Sequence, residues 1–197
     1  MRKWNCVPMI TLCVLLCACG AKTQEEDVRL RYQEMSGCEM QALICCDQAE
    51  SVWEAELLCE YAPDGESCVE VLAPERIAGI KAIVRNGDWA LEYEDIVLNA
   101  GSLSDEQISP AVCLPRMMDA LRDGWLLEEN EEFWNEIPCR RLTVDQSGEH
   151  TKILTTLWLR TDDGTPLRGE IAVEEEIILT AEFTSFTFCD TISSQGA

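Results

Sequence analysis

The chain has 197 residues, with 37 acidic against 15 basic side chains, a formal charge of −22, a single His and 12 Cys. The acid excess argues against nucleic acid as a partner, since that affinity comes from Lys and Arg neutralising phosphates. With 47% apolar residues the chain is not wholly disordered, and its length allows one domain with a substantial core.

The N-terminus reads Met1-Arg2-Lys3-Trp4, then an apolar run from Val7 to Leu16. A basic start, a short apolar run and small residues after it predict a secretory signal over 1–18, too short to span a bilayer. The stretch Leu16-Cys17-Ala18-Cys19 resembles a bacterial lipobox, in which the Cys after the small residue is lipidated and becomes the first mature residue. Cys17 is the weaker acceptor because bulky Leu16 precedes it. The lipobox implies a diacylglyceryl group on Cys19, whose two chains suffice for stable anchoring, and hence a place on the outer face of a bacterial cytoplasmic membrane. Residues 19–26 read as a lipidated tether. Cleavage removes Arg2 and Lys3 and no acid, so anionic lipid would repel the remaining body.

Downstream of Cys19 stand Cys38, Cys45, Cys46, Cys59, Cys68, Cys113, Cys139 and Cys189. An even number outside the cytosol is compatible with disulfides, and equally with small buried apolar thiols. Cys38, Cys45, Cys46, Cys139 and Cys189 are the candidates for disulfide or intermolecular pairing. No C-x-x-C occurs among the eight, which disfavours a zinc ribbon or a thioredoxin-type pair.

Val28, Tyr32 and Met35 recur at i, i+4, i+7 within Asp27–Ser36, predicting a short amphipathic helix stopped by Gly37. Period-two patterns follow. Ser51–Tyr61 places Trp53, Ala55, Leu57, Cys59 and Tyr61 on one face and Glu54, Glu56 and Glu60 on the other, the mark of a half-wet antiparallel sheet. Pro63-Asp64-Gly65 predicts a three-residue hairpin loop with a left-handed Gly. That register sets Cys59 opposite Val69, puts Val69 and Val71 on the buried face, and turns Cys68 away, which disfavours a Cys59–Cys68 disulfide.

Asn86-Gly87 between Ala78–Arg85 and Asp88–Leu98 predicts a two-residue hairpin. Pairing outward sets Trp89 against Val84, Leu91 against Ala82 and Tyr93 against Ile80, with Arg85–Asp88 and Lys81–Glu92 on the other face. Pro115 then opens a predicted helix within Ser109–Asp123, with Leu114, Met117, Met118, Leu121 and Trp125 at helical spacing and Gly124 ending it. Strands are expected again at Glu131–Ile137, Arg140–Asp145, Thr151–Arg160, Leu167–Val173 and Ile177–Phe188, with a turn at Asp162-Asp163-Gly164.

The order is therefore a short helix, about five antiparallel strands, a helix and about five more strands, a mainly β (α+β) chain. A sheet of ten or eleven strands must curl into an incomplete barrel, and its apolar concave face needs a cover that only the two helices can supply. The expected concave residues are Trp53, Ala55, Leu57, Tyr61, Val69, Val71, Ile80, Ala82, Val84, Trp89, Leu91 and Tyr93. Leu114, Met117, Met118 and Leu121 form the helix cover.

This order, on a lipobox-bearing chain, resembles the LolA/LolB-like lipoprotein-carrier superfamily. Its most telling stretches are Ala73–Leu98, the Pro110 to Pro115 segment, and Leu157–Arg160 with Gly164, Pro166 and Leu167. They look closest to the clostridial spore-germination lipoprotein (GerS-like) branch. The resemblance covers about 24–190 and implies a half-barrel domain over 27–190, with 191–197 as a flexible tail. It also implies a non-enzymatic binding role toward an envelope or spore-cortex partner such as an amidase. The superfamily at large implies a second role, carriage of acyl chains or lipoproteins on the concave face. Eight cysteines are a departure from the fold's usual complement and raise the prospect of a linked homodimer.

Catalytic and metal constellations are not expected. Glu128-Glu129-Asn130-Glu131-Glu132 and Glu174-Glu175-Glu176 sit at predicted turns or strand ends and lack calcium-loop spacing. His150 lies alone in a polar turn, and there is neither a phosphate loop nor a nucleophile elbow. No cofactor is implied. A surface hydrolase using paired carboxylates is the least favoured of three readings, behind a partner-binding module and a lipid carrier.

Overall fold

Alternation along Ser51–Tyr61 does what period two dictates: Ala55, Leu57, Cys59 and Tyr61 are buried while Glu54 and Glu60 face solvent. The same rule runs through the computed structural model, which describes residues 28–48, 51–85, 87–102 and 108–189. The signal, Cys19, the tether and the tail lie outside the described residues. Helix α1 (Val28–Glu34) leads into β1 (Gly37–Gln48), β2 (Ser51–Tyr61), β3 (Glu66–Ala73), β4 (Lys81–Arg85), β5 (Asp88–Tyr93) and β6 (Ile96–Ser102). Helix α2 (Cys113–Asp123) follows, then β7 (Trp125–Trp134), β8 (Ile137–Asp145), β9 (Ile153–Arg160), β10 (Pro166–Val173) and β11 (Glu176–Cys189).

The eleven strands form one antiparallel sheet in the order β6-β5-β4-β3-β2-β1-β11-β10-β9-β8-β7. Two meanders, each built of sequential hairpins, meet where β1 pairs with β11. The sheet is curved and open, with both helices on one face. That is the incomplete barrel expected from the sequence.

The sequence-derived registers hold in the β2–β3 and β4–β5 hairpins, apart from the pairing of Tyr93 with Ile80. Cys59 faces Val69 and Glu60 faces Cys68; Val84 faces Trp89, Ala82 faces Leu91, and Lys81 faces Glu92. Gly87 is left-handed at φ 81°, as a two-residue loop requires. Gly164, at φ 70°, closes the Asp162-Asp163 turn by donating its N–H to the Arg160 carbonyl at 3.0 Å.

Other expectations need correction. Gly65 is not among the positive-φ residues; Ser67 Oγ closes that hairpin instead, accepting from the Ala62 N–H at 3.1 Å. Strand β4 begins at Lys81, not Ala78, because Glu75–Ile77 is a 3-10 turn and left-handed Gly79 donates to the Val71 carbonyl at 2.8 Å. Ile80 therefore lies outside the β4–β5 ladder, and Tyr93 pairs with Ile96. Asp88–Leu98 is two strands, reversed at Glu94-Asp95 with Glu94 at φ 52°. Pro115 is the third residue of α2, after a 3-10 turn at Pro110–Val112 whose Ser109 Oγ accepts from the Ala111 N–H. Trp125 is no part of the helical stripe: Gly124 has extended dihedrals, so Trp125 opens β7 and is 75% exposed. The acids from Glu128 to Glu132 lie within β7 rather than at a turn. The chain reverses only at Asn135-Glu136, both with positive φ, leaving Ile137 to β8. Glu174-Glu175 does form a turn of that kind.

Candidate functional site

Backbone register sets which side chains share a face. Met40 pairs with Cys59, Cys59 with Val69, Val69 with Ala82, Ala82 with Leu91 and Leu91 with Leu98. These six make one apolar row across the concave face from β1 to β6. Met40 and Cys59 are wholly buried and Val69 and Ala82 nearly so; Leu91 is half-buried, and Leu98 is 61% exposed. The row starts in the core and ends in solvent.

The helices produce this gradient. Leu114, Met117, Met118 and Leu121 of α2 are completely buried, and the helix packs over β2, β8 and β9. It also touches β10, where a Cβ on Gly169 would stand 2.6 Å from Met117 Sδ. Helix α1 clamps the end of α2. Arg29 donates to the carbonyls of Leu121 at 2.9 Å and Gly124 at 2.8 Å, and Gln33 donates to that of Arg122 at 3.2 Å. Those are the orphan carbonyls and the negative pole of α2, so a cation there is favourable. Tyr32 Oη donates to the Gly164 carbonyl at 2.6 Å, and the Arg31 guanidinium lies 3.7 Å from the Phe188 ring centroid. The covered part of the face is thus a packed core.

Among the described residues, the cover runs out at the β5–β6 end. Trp89 and Leu91 are half-buried, and Tyr93, Ile96 and Leu98 share their face at 47%, 60% and 61% exposure. Exposed apolar side chains contiguous on one surface mark a binding site more often than isolated ones do. Of the expected concave residues, Trp53, Ala55, Leu57, Tyr61, Val69, Val71, Ala82 and Val84 lie under or beside the cover. Trp89, Leu91 and Tyr93 lie on the uncovered shelf, with Ile80 in the loop beside it. Ile96 and Leu98 were not foreseen, because reading Asp88–Leu98 as one strand hid the second half of the hairpin. The polar pair Glu94-Asp95 between apolar alternations was the available signal.

One polar cluster joins α2 to β2 at the margin of the cover. Tyr61 Oη donates to Asp119 Oδ1 at 2.5 Å and accepts from Arg122 at 3.4 Å. Burial pushes the Tyr61 hydroxyl up. It also pushes up the Asp119 carboxyl, whose end is screened by Tyr61 although the residue is exposed overall, while the Tyr61 hydrogen bond and Arg122 oppose that shift.

The opposite face of the sheet carries Trp134 and Trp158, 5.6 Å apart, with the Arg168 guanidinium 4.8 Å from the Trp134 centroid. Arg168 bridges Glu170 and Glu182, Arg141 bridges Glu128 and Glu132, and Trp158 Nε1 donates to Glu132. On the concave side Arg140 pairs with Glu129. These carboxylates are spent on ion pairs and hydrogen bonds, cross-strand except for Glu170, which shares β10 with Arg168.

All eight described cysteines are free thiols. Cys38, Cys46, Cys59, Cys113 and Cys139 are buried, Cys45 and Cys68 half-buried and Cys189 exposed. Burial pushes the Cys38 and Cys113 thiols up to about 12. Cys139 is buried on the face away from the helices, its Sγ 3.4 Å from the Glu132 carbonyl. No group of three or more potential metal ligands occurs among the described residues.

No protein-family model and no curated protein sequence matches the chain. Among solved structures it is similar to a LolA superfamily protein from Nitrosomonas europaea, at 10% identity over 85% of this chain and 94% of that one, with a TM-score of 0.48. A DUF1329 family protein from Desulfovibrio piger is 13% identical over 82% and 90%, with a TM-score of 0.47. The lipoprotein LppX of Mycobacterium tuberculosis is 12% identical over 80% and 92%, with a TM-score of 0.42.

Proposed function

We propose that this chain is a non-enzymatic binding protein, held outside the cytoplasmic membrane by a diacylglyceryl Cys19, that engages a second envelope protein at the uncovered end of its concave face. The observation supporting this is the row Met40–Cys59–Val69–Ala82–Leu91–Leu98, which passes from full burial to 61% exposure within one sheet. Among the described residues, strand β6 beside that shelf ends the sheet. It offers main-chain hydrogen bonds that a protein partner can use and a lipid cannot. The germination-lipoprotein resemblance makes a cortex-modifying amidase the partner to try first.

The test places a photo-crosslinking residue at Leu98 in the full chain within its own envelope, with Leu127, an exposed position on the other edge strand, as the control. The expected result is a covalent adduct with one envelope protein from Leu98 and none from Leu127. Adducts with lipid alone would remove the partner.

The exposed apolar trio Tyr93, Ile96 and Leu98 favours one second reading, a carrier or sensor of acyl chains. Native mass spectrometry of the extracted chain distinguishes it: an acyl mass retained by the wild type and lost in Leu98→Asp is that reading's signature. A hydrolase finds less support, since Glu128, Glu129 and Glu132 are committed to Arg140, Arg141 and Trp158.

A further inference from the structure

The two edges of the sheet are built differently. Strand β7, at one end, is ten residues long and carries Glu128, Glu129, Glu131 and Glu132. Charge of that density is how an edge is protected from adding another strand. Strand β6, at the other end, reads Ile-Val-Leu-Asn-Ala-Gly-Ser without an ionisable side chain. Among the described residues it has a strand neighbour on one side only.

Its apolar residues are exposed on both faces. Ile96 and Leu98 continue the concave row, while Val97 points to the other side beside Glu92 and is 59% exposed. Alternate residues of an antiparallel edge turn their N–H and C=O groups away from the existing neighbour. The stretch is cut off at its far end by left-handed Gly101 and the register shift between Trp89 and Ala90. Ile96–Asn99 is therefore a short, apolar, unguarded template for one more strand.

The surroundings define the strand that fits. The hairpin from Gly87 to Ser102 holds Asp88, Glu92, Glu94 and Asp95 and no Lys or Arg. The neighbouring strand offers two cations, Lys81 and Arg85, which lie opposite Glu92 and Asp88. Lys81 also pairs with Glu70 at 3.3 Å and Arg85 with Glu66, both on β3. Two cations are thus shared among four carboxylates, and Glu94 and Asp95 of the turn add two more. The whole chain carries −22. Two such edges brought together would oppose like charges, which disfavours a second copy of this chain as the occupant.

We propose that β6 accepts an extended segment of a partner protein in which apolar residues alternate with Lys or Arg, adding it as a twelfth strand. This rests on the binding role proposed above and gives the partner's chemistry. The apolar residues of the segment meet Leu98 and Ile96, its cations meet the acids of the β5–β6 hairpin, and its backbone completes the ladder. Affinity arises from main-chain hydrogen bonds and register from alternation.

The experiment uses the full chain in an uncharged detergent and a fluorescently labelled peptide, Lys-Val-Lys-Val-Lys-Val-Lys, with anisotropy as the readout. Binding is expected to weaken at least tenfold for the Glu-for-Lys peptide and for a peptide N-methylated at alternate residues, which cannot join a ladder. The Val97→Lys variant, with its fold checked by circular dichroism, is expected to lose at least tenfold as well, and Glu92→Gln/Glu94→Gln to flatten the salt dependence. Equal binding of the N-methylated peptide, or indifference to Val97→Lys, overturns strand addition. A Val97-dependent homodimer that excludes the peptide, or displacement of the peptide by dodecanoate with Val97→Lys still binding, overturns it in favour of a second copy or a lipid. If the peptide fails while the Leu98 crosslink to an envelope protein persists, the binding role stands and the strand does not; loss of the crosslink alone has the reverse meaning.

Discussion

The sulfur of Met117 lies over Gly169 of β10, 2.6 Å from where a Cβ would stand, with its Cε at 3.0 Å. Helix α2 rests on the sheet at that point because β10 has no side chain there. Gly169→Ala must displace the end of Met117, a flexible group, and is expected to lose about 1–3 kcal/mol. Urea denaturation measures it. Combined with Met117→Ala, which alone removes about 2–5 kcal/mol, the loss should fall short of the sum, since the smaller side chain makes room for the methyl. Strict additivity would mean that the two groups do not touch.

Tyr32 anchors the other helix. Its hydroxyl donates to the Gly164 carbonyl and its ring stands edge-on to Phe188, centroids 5.2 Å apart. Tyr32→Phe keeps the ring and strands a buried acceptor, so a loss of about 1–2 kcal/mol is expected. Tyr32→Ala should release α1 from the sheet and expose the carbonyls at the end of α2 that Arg29 caps. Hydrogen exchange over 28–34 and 119–124 reads this directly: faster exchange in both segments for Tyr32→Ala, and protection close to wild type for Tyr32→Phe.

Much of this was legible in the residues. Clean alternation at Trp53–Tyr61 and the Asn-Gly loop fixed faces and registers because period two and turn chemistry act locally. The stripe Leu114, Met117, Met118 and Leu121 was legible for the same reason. Trp125 fooled the helical pattern: spacing alone cannot show that extended Gly124 turns the chain into a strand. The acids of β7 read as a turn because their cross-strand partners, Arg140 and Arg141, lie beyond a loop of Asn135 and Glu136, where Asn135 suits a turn but Glu136 stands in the second position in place of the usual Gly. Least legible was the uncovered shelf. Where the helices stop covering the sheet depends on how far α2 reaches, a tertiary fact that no period encodes.

The Tyr61–Asp119–Arg122 cluster carries a pH dependence of known sign. The folded-state pKa of Asp119 lies above its ordinary value, burial being the main cause. Its contribution to stability is therefore fully present below the unfolded carboxyl pKa and is lost as pH rises through the folded one. Asp119→Asn keeps an acceptor for Tyr61 and abolishes the titration. The stability of the variant relative to wild type is expected to grow between pH 4 and pH 7. Urea midpoints at four pH values test this, and parallel curves would show that the carboxyl is as well solvated in the native state as in the unfolded one.

The thiols should react in an order set by burial. Alkylation needs thiolate, and Cys38 and Cys113 are held at about 12 by burial, while Cys59 is pushed well up by the same cause. Cys189, exposed at the end of β11, is expected to take iodoacetamide first at pH 8, followed by half-buried Cys45 and Cys68. Cys38, Cys59 and Cys113 should stay unlabelled until urea unfolds the chain. Peptide mapping by mass spectrometry reads each site. Exposure also makes Cys189 the thiol best placed to reach another molecule, so any covalent dimer on a non-reducing gel should vanish with Cys189→Ser. Labelling of Cys38 as fast as Cys189 in the native chain would mean that α1 does not shield the start of β1, and the clamp formed by Tyr32, Arg29 and Arg31 would have to be redrawn.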